Sequence, residues 1–224
     1  MSISDNLNQI KSELDQHNCL LVAVSKTKPA SDIQEAYDAG HRDFGENKAQ
    51  EMTGKYEELP QDIRWHMIGH LQRNKVKYLA PYVHLIHGVD SPRLLREINK
   101  QAKKAERTIK VLLQIHIARE ESKFGFDEAE LIELLDSEEM AELKNVQVTG
   151  LMGMATNTDN EARVREEFAH LKSLFEKLKA DYDLPNMQME ELSMGMSGDY
   201  KIALAEGSTM VRIGSAIFGA RNYG

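Results

Sequence analysis

The chain of 224 residues contains a single cysteine, Cys19. One thiol excludes an internal disulfide framework and a thiolate metal cluster, and it agrees with a reducing compartment. No run approaches the roughly 18 consecutive apolar residues that a membrane span requires, and the first residues are polar rather than typical of a signal peptide. These absences predict a cytoplasmic protein without membrane segments, in which Cys19 is a buried structural thiol beside the first strand.

Positively charged residues are outnumbered by negatively charged ones. The 28 Lys and Arg residues stand against 36 Asp and Glu residues, which gives a net charge of -8 and a pI of about 5.5. This balance argues against nucleic acid held on a large phosphate-binding face, while it leaves room for a local basic patch. With 41% hydrophobic and 29% charged residues, the composition predicts one folded domain over residues 1–224 with a core of its own.

No linker, repeat or low-complexity segment interrupts the chain, and short β-like runs alternate with amphipathic helical stretches. The predicted strands span residues 20–25, 42–45, 65–69, 83–88, 109–117, 146–152, 189–192 and 210–213. The predicted helices span residues 3–17, 29–39, 46–59, 71–79, 199–205 and 215–218, and further helices begin at Ser91-Pro92, at Asp127 and at Thr158. Glu161 completes a predicted capping box with Thr158.

Eight β units that alternate with helices indicate an α/β protein with a parallel sheet and crossover helices. Eight such units most economically close into a single (β/α)8 TIM barrel. A doubly wound open sheet is the alternative, but that fold normally carries a GxGxxG turn after an early strand, and the sequence contains none.

The barrel interpretation places several polar segments on one face, because the carboxyl ends of the strands of a barrel converge there. Lys26 follows the first predicted strand and Asn47 follows the second, while residues 67–69 end the third. Residues 193–197 and 212–215 follow the seventh and eighth strands. We therefore expect these segments to meet around one ligand.

Two of these segments predict a phosphate cradle. Ser193-Met194-Gly195-Met196-Ser197-Gly198 and Gly214-Ser215 offer small residues, hydroxyl groups and backbone amides at helix starts. The loops after strands seven and eight are where barrels commonly bind phosphate. Each segment alone is equally consistent with a tight turn, but together with a strand-end lysine they favour a phosphorylated ligand.

A phosphate cradle beside Lys26 indicates a phosphorylated aldehyde, of which pyridoxal 5'-phosphate (PLP) is the common one. Its aldehyde forms a Schiff base with a neutral lysine amine, and a neighbouring cation such as Lys28 favours the neutral form. If Arg212 faces the pyridine nitrogen, a side chain that stays protonated restrains carbanion chemistry at the ring. The alternative for Arg212 is an ion pair with a carboxylate at the barrel rim.

Three histidines, His66, His84 and His87, lie in predicted strands or beside them. No carboxylate-rich ligand pattern accompanies them in the sequence. A zinc site and hydrogen-bonded core or rim histidines are both consistent with this spacing, and the sequence favours the second interpretation.

Several ordered motifs resemble the family of pyridoxal phosphate homeostasis proteins of the YggS type. The match covers nearly the whole chain. The motifs are Val24-Ser25-Lys26-Thr27-Lys28-Pro29, Phe44-Gly45-Glu46-Asn47, Trp65-His66-Met67-Ile68-Gly69-His70-Leu71-Gln72, Ser122-Lys123-Phe124-Gly125, Gly150-Leu151-Met152, Ser193-Met194-Gly195-Met196-Ser197 and Gly207-Ser208-Thr209-Met210-Val211-Arg212-Ile213-Gly214-Ser215-Ala216-Ile217-Phe218-Gly219.

This resemblance implies a barrel of PLP fold type III, similar to the N-terminal domain of alanine racemase, with PLP on Lys26. By residue-by-residue matching, Arg212 faces the pyridine nitrogen and Asn47 lines the ring. The predicted cofactor-binding set is Lys26, Asn47, Ser193, Ser197, Arg212, Gly214 and Ser215, in which Ser197, Gly214 and Ser215 hold the phosphate.

The resemblance also implies a monomer without catalytic turnover that keeps vitamin B6 and amino-acid pools balanced, with PLP-dependent apo-enzymes as its partners. Lys123 matches a further family lysine with an auxiliary role. Residues 221–224 lack the lysine-rich tail of some relatives, so tail-dependent cofactor release is not expected here.

Two other functions are alternatives to this one. An amino-acid racemase needs an acid or base on each face of the cofactor, and only Lys26 is placed by the sequence. The second base of alanine racemase comes from an additional domain that we do not expect here, which leaves Tyr200 or Tyr223 as substitutes. A regulatory scaffold for a protein partner is the third hypothesis, and it predicts a large exposed apolar patch.

Overall fold

The computed structural model describes residues 2–118 and 124–219. Eight parallel strands close into one barrel, in which each strand pairs with the next in the chain and β8 pairs with β1. The strands are β1 (Leu20–Val24), β2 (Asp43–Glu46), β3 (Arg64–Met67), β4 (Leu85–Val89), β5 (Ile109–Gln114), β6 (Val146–Met152), β7 (Met187–Met196) and β8 (Met210–Ile213). The predicted barrel is confirmed, and the open sheet is wrong because β1 and β8 pair.

Helices precede the first strand, connect the strands and follow the last one. They are α1 (Ile3–Asp15), α2 (Ala30–Asp38), α3 (Ala49–Glu58), α4 (Val76–Leu79), α5 (Pro92–Lys104), α6 (Glu128–Asp136), α7 (Glu138–Glu142), α8 (Glu161–Asp181), α9 (Tyr200–Ala205) and α10 (Ser215–Phe218). Among the described residues, no helix is both long and apolar enough to cross a bilayer.

The main core fills the space between the barrel and the helices. On α5, Leu94, Leu95 and Ile98 are buried, as the helical spacing of these apolar residues predicts. Burial of each such side chain stabilises the fold by about 1.5–3 kcal/mol. Cys19 is buried in the same core, and burial raises the pKa of its thiol to about 11. The predicted structural thiol is therefore confirmed.

A second, smaller cluster fills part of the barrel interior. Its buried residues are Val22, Leu85, Leu112, Met152 and Met210. Because successive side chains of a strand point to opposite faces, residues two positions along point inward as well. On β1 and β8, the residue two positions after the inward apolar residue therefore also points inward, and it lies nearer the carboxyl end of the barrel.

Two boundaries differ from the sequence-based prediction for physical reasons. Glu46 ends β2 instead of starting a helix, because its buried side chain forms an ion pair inside the protein. The longest helix begins at Glu161 with Asn160 as its N-cap, since the Asn160 side chain accepts a hydrogen bond from the Arg163 amide. The predicted capping box at Thr158 is therefore wrong.

Other predicted elements were too long, too short or missing. Residues 71–79 form a 3-10 turn (Arg73–Lys75) and the short α4 instead of one helix. Strand β5 ends at Gln114, and β7 extends over ten residues instead of four. Helix α7 corresponds to no predicted element; its N-terminus is capped by Ser137, whose hydroxyl accepts a hydrogen bond from the Met140 amide.

Candidate functional site

A cavity of about 470 Å³ opens at the carboxyl ends of the strands. Six of the seven predicted site residues line it, and Ser193 is the exception. The lining residues are Val24, Lys26, Lys28, Asn47, Ile68, Gly69, His70, Gln114, Phe124, Met154, Met196, Ser197, Gly198, Arg212, Gly214, Ser215 and Gly219. The convergence predicted from the barrel topology is therefore observed.

Lys26 lies two residues beyond β1, in a loop that is held on both sides. The hydroxyl of buried Ser25 donates a hydrogen bond to a carboxylate oxygen of Glu46 at 2.6 Å. The amide of Thr27 donates to a carboxylate oxygen of Glu51 at 2.6 Å. Thr27 has a φ of 64°, a left-handed conformation that is costly for a β-branched residue. Lys26 is thus presented by a strained, well-anchored turn.

Helix α3 supplies the anchor through Lys55. Its buried ammonium group donates to the Ser25 carbonyl at 2.9 Å, to Glu46 at 2.7 Å and to Glu51 at 2.8 Å. Burial raises the pKa of Glu46 even though Lys55 opposes the shift. One lysine therefore neutralises the buried carboxylate and fixes the main chain next to Lys26. The sequence analysis missed this group, because only the fold brings the three residues together.

Arg212 projects from β8 into the base of the cavity and is almost completely buried. It donates two hydrogen bonds to Ser193, to the hydroxyl at 2.5 Å and to the carbonyl at 2.9 Å, and one to the Gly153 carbonyl at 3.1 Å. Burial lowers the pKa of Arg212 to about 10, and the charge of Asp199 opposes the shift. These contacts replace the carboxylate ion pair that was the alternative interpretation.

Behind Arg212, a column of buried polar side chains continues through the barrel. The Ser193 hydroxyl lies 3.1 Å from Nδ1 of His87, whose Nε2 lies 3.0 Å from Nδ1 of His66. Nε2 of His66 lies 3.1 Å from Asp43, which also pairs with Arg64. The structure therefore places Ser193 between Arg212 and His87 instead of in the cavity wall.

Asp43, at the far end of this column, is ionised. Burial alone would raise its pKa, but the hydrogen bonds from His66 and Arg64 outweigh burial and hold the pKa well below its usual range. Both His66 and His87 are fully buried and hydrogen-bonded. The prediction of hydrogen-bonded core histidines is confirmed for these two residues.

Three side chains at the Asp43 end of the column lie close enough together to be considered for the alternative prediction of a zinc site. Ligand atoms of Asp43, His66 and His84 lie within 4.8 Å of one another. However, the carboxylate of Asp43 is already paired with the Arg64 guanidinium, and both ring nitrogens of His66 have hydrogen-bond partners. A cation at this place would have to displace Arg64, so the group functions better as a hydrogen-bonded network than as a metal site.

The predicted phosphate cradle lines the same cavity. The Ser197 hydroxyl accepts a hydrogen bond from the Gly214 amide at 3.3 Å, which joins the two glycine-rich segments. The segments also come together because Gly195 has a φ of 98° and because a Cβ atom there would lie 2.6 Å from the Cβ atom of Ala203. Ser215 begins α10 beside them. The hydroxyls and amides that an anion requires are therefore collected on one side.

Asn47 is positioned by the neighbouring strand through a glycine. A Cβ atom on Gly69 would lie 2.7 Å from the Asn47 carbonyl oxygen, and one on Gly88 would lie 2.7 Å from the Gly69 carbonyl oxygen. Successive main chains thus pack closely where β2, β3 and β4 end. The backbone approach at Gly69 fixes the place from which Asn47 reaches the cavity.

The remaining predicted groups fall outside this cavity or outside the described residues. Tyr200 donates a hydrogen bond from its hydroxyl to Glu13 at 2.9 Å, toward α1, and it is absent from the cavity lining. Lys123 and Tyr223 lie outside the described residues, as do the other residues of 119–123 and 220–224. Lys28 lines the cavity and donates to the Phe218 carbonyl at 2.8 Å.

His70 is a cavity residue that the sequence analysis did not select. Its Nδ1 atom donates to the Asp90 carboxylate at 3.0 Å, and about half of its side chain is exposed. Phe124 packs beside it, with ring centroids 5.3 Å apart. His70 directly follows the third predicted strand and Phe124 belongs to a quoted motif, and these positions were the available signals.

Known proteins share this fold and its length. The family described as "Alanine racemase, N-terminal domain" matches residues 1–222. A "Pyridoxal phosphate homeostasis protein" of Aquifex aeolicus is 43% identical over 208 residues, which cover 92% of this chain and 89% of the relative. The protein of the same name from Escherichia coli is 39% identical over 234 residues, with 99% and 97% covered.

Solved structures also share the fold of this chain. The structure of PipY from Synechococcus elongatus with PLP bound is 37% identical, covers 97% of this chain and all of that chain, and superposes with a TM-score of 0.88. Alanine racemase of Bartonella henselae is 16% identical with a TM-score of 0.70, which shows a shared fold alone. The chain therefore belongs to the family of pyridoxal phosphate homeostasis proteins and has the PLP fold type III barrel of the alanine racemase N-terminal domain.

Proposed function

We propose that this protein binds pyridoxal 5'-phosphate as a Schiff base on Lys26 and serves intracellular vitamin B6 and amino-acid homeostasis. The observation that carries the proposal is the single cavity that is lined by Lys26, Ser197, Ser215 and Arg212 together. An amine for the aldehyde, an anion cradle for the phosphate and a fixed cation for the ring nitrogen are the three groups that the cofactor requires.

The residues present fit the cofactor in one further respect. A guanidinium has five N–H bonds, and three of those on Arg212 are directed to Ser193 and Gly153. Within residues 2–118 and 124–219, the remaining two are left for a ligand. Since arginine donates and does not accept, the acceptor that it would bind is the unprotonated pyridine nitrogen, which keeps the ring a weak electron sink.

The experiment is to load the purified protein with PLP and follow its visible absorbance before and after borohydride. The amine of Lys26 adds to the aldehyde carbon with loss of water, and borohydride reduces the resulting C=N bond. We expect the visible band to disappear and the pyridoxyl mass to map to Lys26. A Lys26→Ala variant should give no band, while Lys28→Ala, a change at a lysine of the same cavity, should keep it. A pyridoxyl mass on Lys28 or Lys123 would overturn the assignment of Lys26.

We further propose that the protein has no catalytic turnover. Racemisation needs a second acid or base opposite the lysine, and Tyr200 is hydrogen-bonded to Glu13 away from the cavity. One observation favours the racemase alternative: His70 lines the cavity and is oriented by Asp90. Its half-exposed position at the rim leaves it open to water, whereas proton abstraction next to a carboxylate is favoured in a water-excluded site.

Exchange of the Cα hydrogen of L-alanine in D2O separates the two alternatives. We expect the loaded protein to exchange this hydrogen no faster than free PLP does. Exchange above that level that disappears in His70→Ala would establish a racemase-like activity and overturn the proposal. His84→Ala, which changes an imidazole outside the cavity lining, is the matched control.

Transfer of PLP to apo-enzymes completes the proposal, with the protein acting in the cytoplasm as a monomer. Five large hydrophobic residues are exposed in the described part of the chain, and three of them, Phe124, Met154 and Met196, line the cavity. An apolar rim around a cofactor pocket is suited to transient contact with another protein. We expect a Met154→Gln, Met196→Gln double variant to retain PLP binding and to transfer PLP more slowly to an apo-enzyme. Equal transfer rates would argue against contact at this rim.

A further inference from the structure

The hydrogen bonds of the buried column behind Arg212 all point in one direction, from Arg212 toward Asp43. Arginine at one end can only donate, and the ionised carboxylate of Asp43 at the other end can only accept. Nε2 of His66 therefore donates to Asp43 at 3.1 Å. The charge of Asp43 is already balanced by Arg64, so a neutral His66 avoids an additional buried cation.

With His66 neutral, the donor and the acceptor of each remaining hydrogen bond are determined. Its Nδ1 atom accepts from Nε2 of His87 at 3.0 Å, and Nδ1 of His87 then accepts from the Ser193 hydroxyl at 3.1 Å. Ser193 in turn accepts from Arg212 at 2.5 Å. Each member thus donates toward Asp43 and accepts from the side of Arg212. Hydrogen bonds aligned in one direction polarise one another, and this strengthens each of them.

We propose that Ser193, His87, His66 and Asp43 form a positioning relay that holds the guanidinium of Arg212 at the base of the cavity. Arg212 is a buried cation whose direct partners are a hydroxyl and two carbonyls. The aligned chain orients the Ser193 oxygen toward it and connects it to the anion of Asp43. The residues come from β2, β3, β4, β7 and β8, so the rigid barrel sets the direction of Arg212.

Because Arg212 is the side chain proposed to face the cofactor ring, this role rests on the proposed function. The first measurement uses the protein without cofactor, so it tests the relay even if PLP does not bind. Nitrogen-15 NMR assigns the protonated ring nitrogen of each histidine and the side-chain N–H signals of Arg212. We expect His66 and His87 to be neutral with the proton on Nε2. A proton on Nδ1 of His87 would overturn the relay.

Variants at His87 separate positioning from packing. His87→Gln keeps one acceptor and one donor in its side-chain amide, whereas His87→Leu removes both and leaves the hydroxyl hydrogen of Ser193 and Nδ1 of His66 without a partner. We expect the Arg212 N–H signals to be retained in His87→Gln and to broaden or shift in His87→Leu. If His87→Leu fails to fold, Ser193→Ala tests the same contact with a smaller change. Unchanged Arg212 signals in Ser193→Ala would overturn the proposal.

The far end of the relay gives the sharpest test. Asp43→Asn replaces the terminal anion by a neutral amide, and we expect it to shift the Arg212 signals although four hydrogen bonds separate the two residues. His84→Gln is the matched control, because the His84 ring lies 5.4 Å from that of His66 but takes no part in the chain. An effect of His84→Gln on Arg212 as large as that of Asp43→Asn would show general loosening of the barrel end and overturn the relay.

A second readout uses PLP itself. We expect Ser193→Ala and His87→Leu to weaken PLP binding by about tenfold each, the effect of leaving one buried hydrogen-bonding group unpaired, and to shift the visible band. His87→Gln should lie within about threefold of the unmodified protein. Loss of PLP binding in every variant, with Arg212 signals unchanged, would mean that these residues contribute stability alone.

Discussion

Nζ of Lys55 donates a hydrogen bond to the main-chain carbonyl of Ser25 at 2.9 Å, and Ser25 directly precedes Lys26. The same ammonium group neutralises Glu46 and contacts Glu51. Helix α3 therefore controls the loop from which Lys26 enters the cavity. The order of the loop depends on a buried ion pair that does not itself line the cavity.

Removal of Lys55 should destabilise the protein strongly. In Lys55→Met the carboxylate of Glu46 stays buried without its cation, which costs about 3–5 kcal/mol. A Glu46→Leu, Lys55→Met double variant removes both charges, and we expect it to recover most of this loss. Urea unfolding of the single and double variants gives the coupling free energy. Additive effects of the two changes would contradict the assignment of a coupled buried pair.

Thr27 should tolerate glycine better than most positions do. Its φ of 64° strains a β-branched residue by about 1–3 kcal/mol, whereas glycine adopts this conformation freely. We expect Thr27→Gly to be no less stable than the unmodified protein in urea unfolding. Ala169→Gly, on the exposed face of α8, is the control and should lose about 1 kcal/mol. Equal losses in both variants would show that Thr27 is unstrained.

Gly69 should not tolerate a side chain. The Cβ atom of Gly69→Ala would lie 2.7 Å from the Asn47 carbonyl oxygen, so the main chain at Asn47 must move, at a cost of about 1–3 kcal/mol. We expect lower stability together with weaker PLP binding. Gly54→Ala in α3, where a Cβ atom has no neighbour within 4 Å, should stabilise the protein by about 1 kcal/mol. PLP binding unaffected by Gly69→Ala would contradict the role assigned to Asn47.

Mild acid should destabilise the protein through its buried histidines. Burial lowers the pKa of His41 and of His84 to about 4, while both titrate near 6.5 in the unfolded chain. Between these values the unfolded state binds more protons, so stability is complete above about pH 6.5 and falls as the pH drops toward 4. At pH 5 the loss from His41 is about 2 kcal/mol, and it is smaller for half-buried His84 because solvent screens its charge.

Urea unfolding at pH 7.5, 6 and 5 measures this slope. His41→Gln retains a donor for the Asp43 carbonyl, which Nε2 of His41 contacts at 2.8 Å, but it cannot titrate. We therefore expect a shallower pH dependence in His41→Gln than in the unmodified protein. Parallel pH profiles for the two proteins would exclude His41 as a source of the acid sensitivity.

Local sequence patterns were sufficient to predict the barrel fold. The alternation of apolar runs and amphipathic helices repeats eight times, and three predicted elements, 146–152, 210–213 and 215–218, have the observed bounds. The predicted bounds of an element were wrong where a contact outside the local sequence pattern decided them. Glu46 is a strand residue because Lys55 neutralises it, and no local pattern contains that information.

The sequence by itself determined the fold and the face on which the site lies, because strand period, helix caps and the position of Lys26 after a strand are local properties. It also determined that Lys26, Asn47, Ser197, Arg212, Gly214 and Ser215 converge, since barrel topology brings strand ends together. Only the tertiary structure decided that Ser193 lies behind Arg212 and that His87, His66 and Asp43 continue the column. Hydrogen-bond partners inside a barrel come from strands far apart in sequence, and distances of about 3 Å are fixed only when all the strands pack.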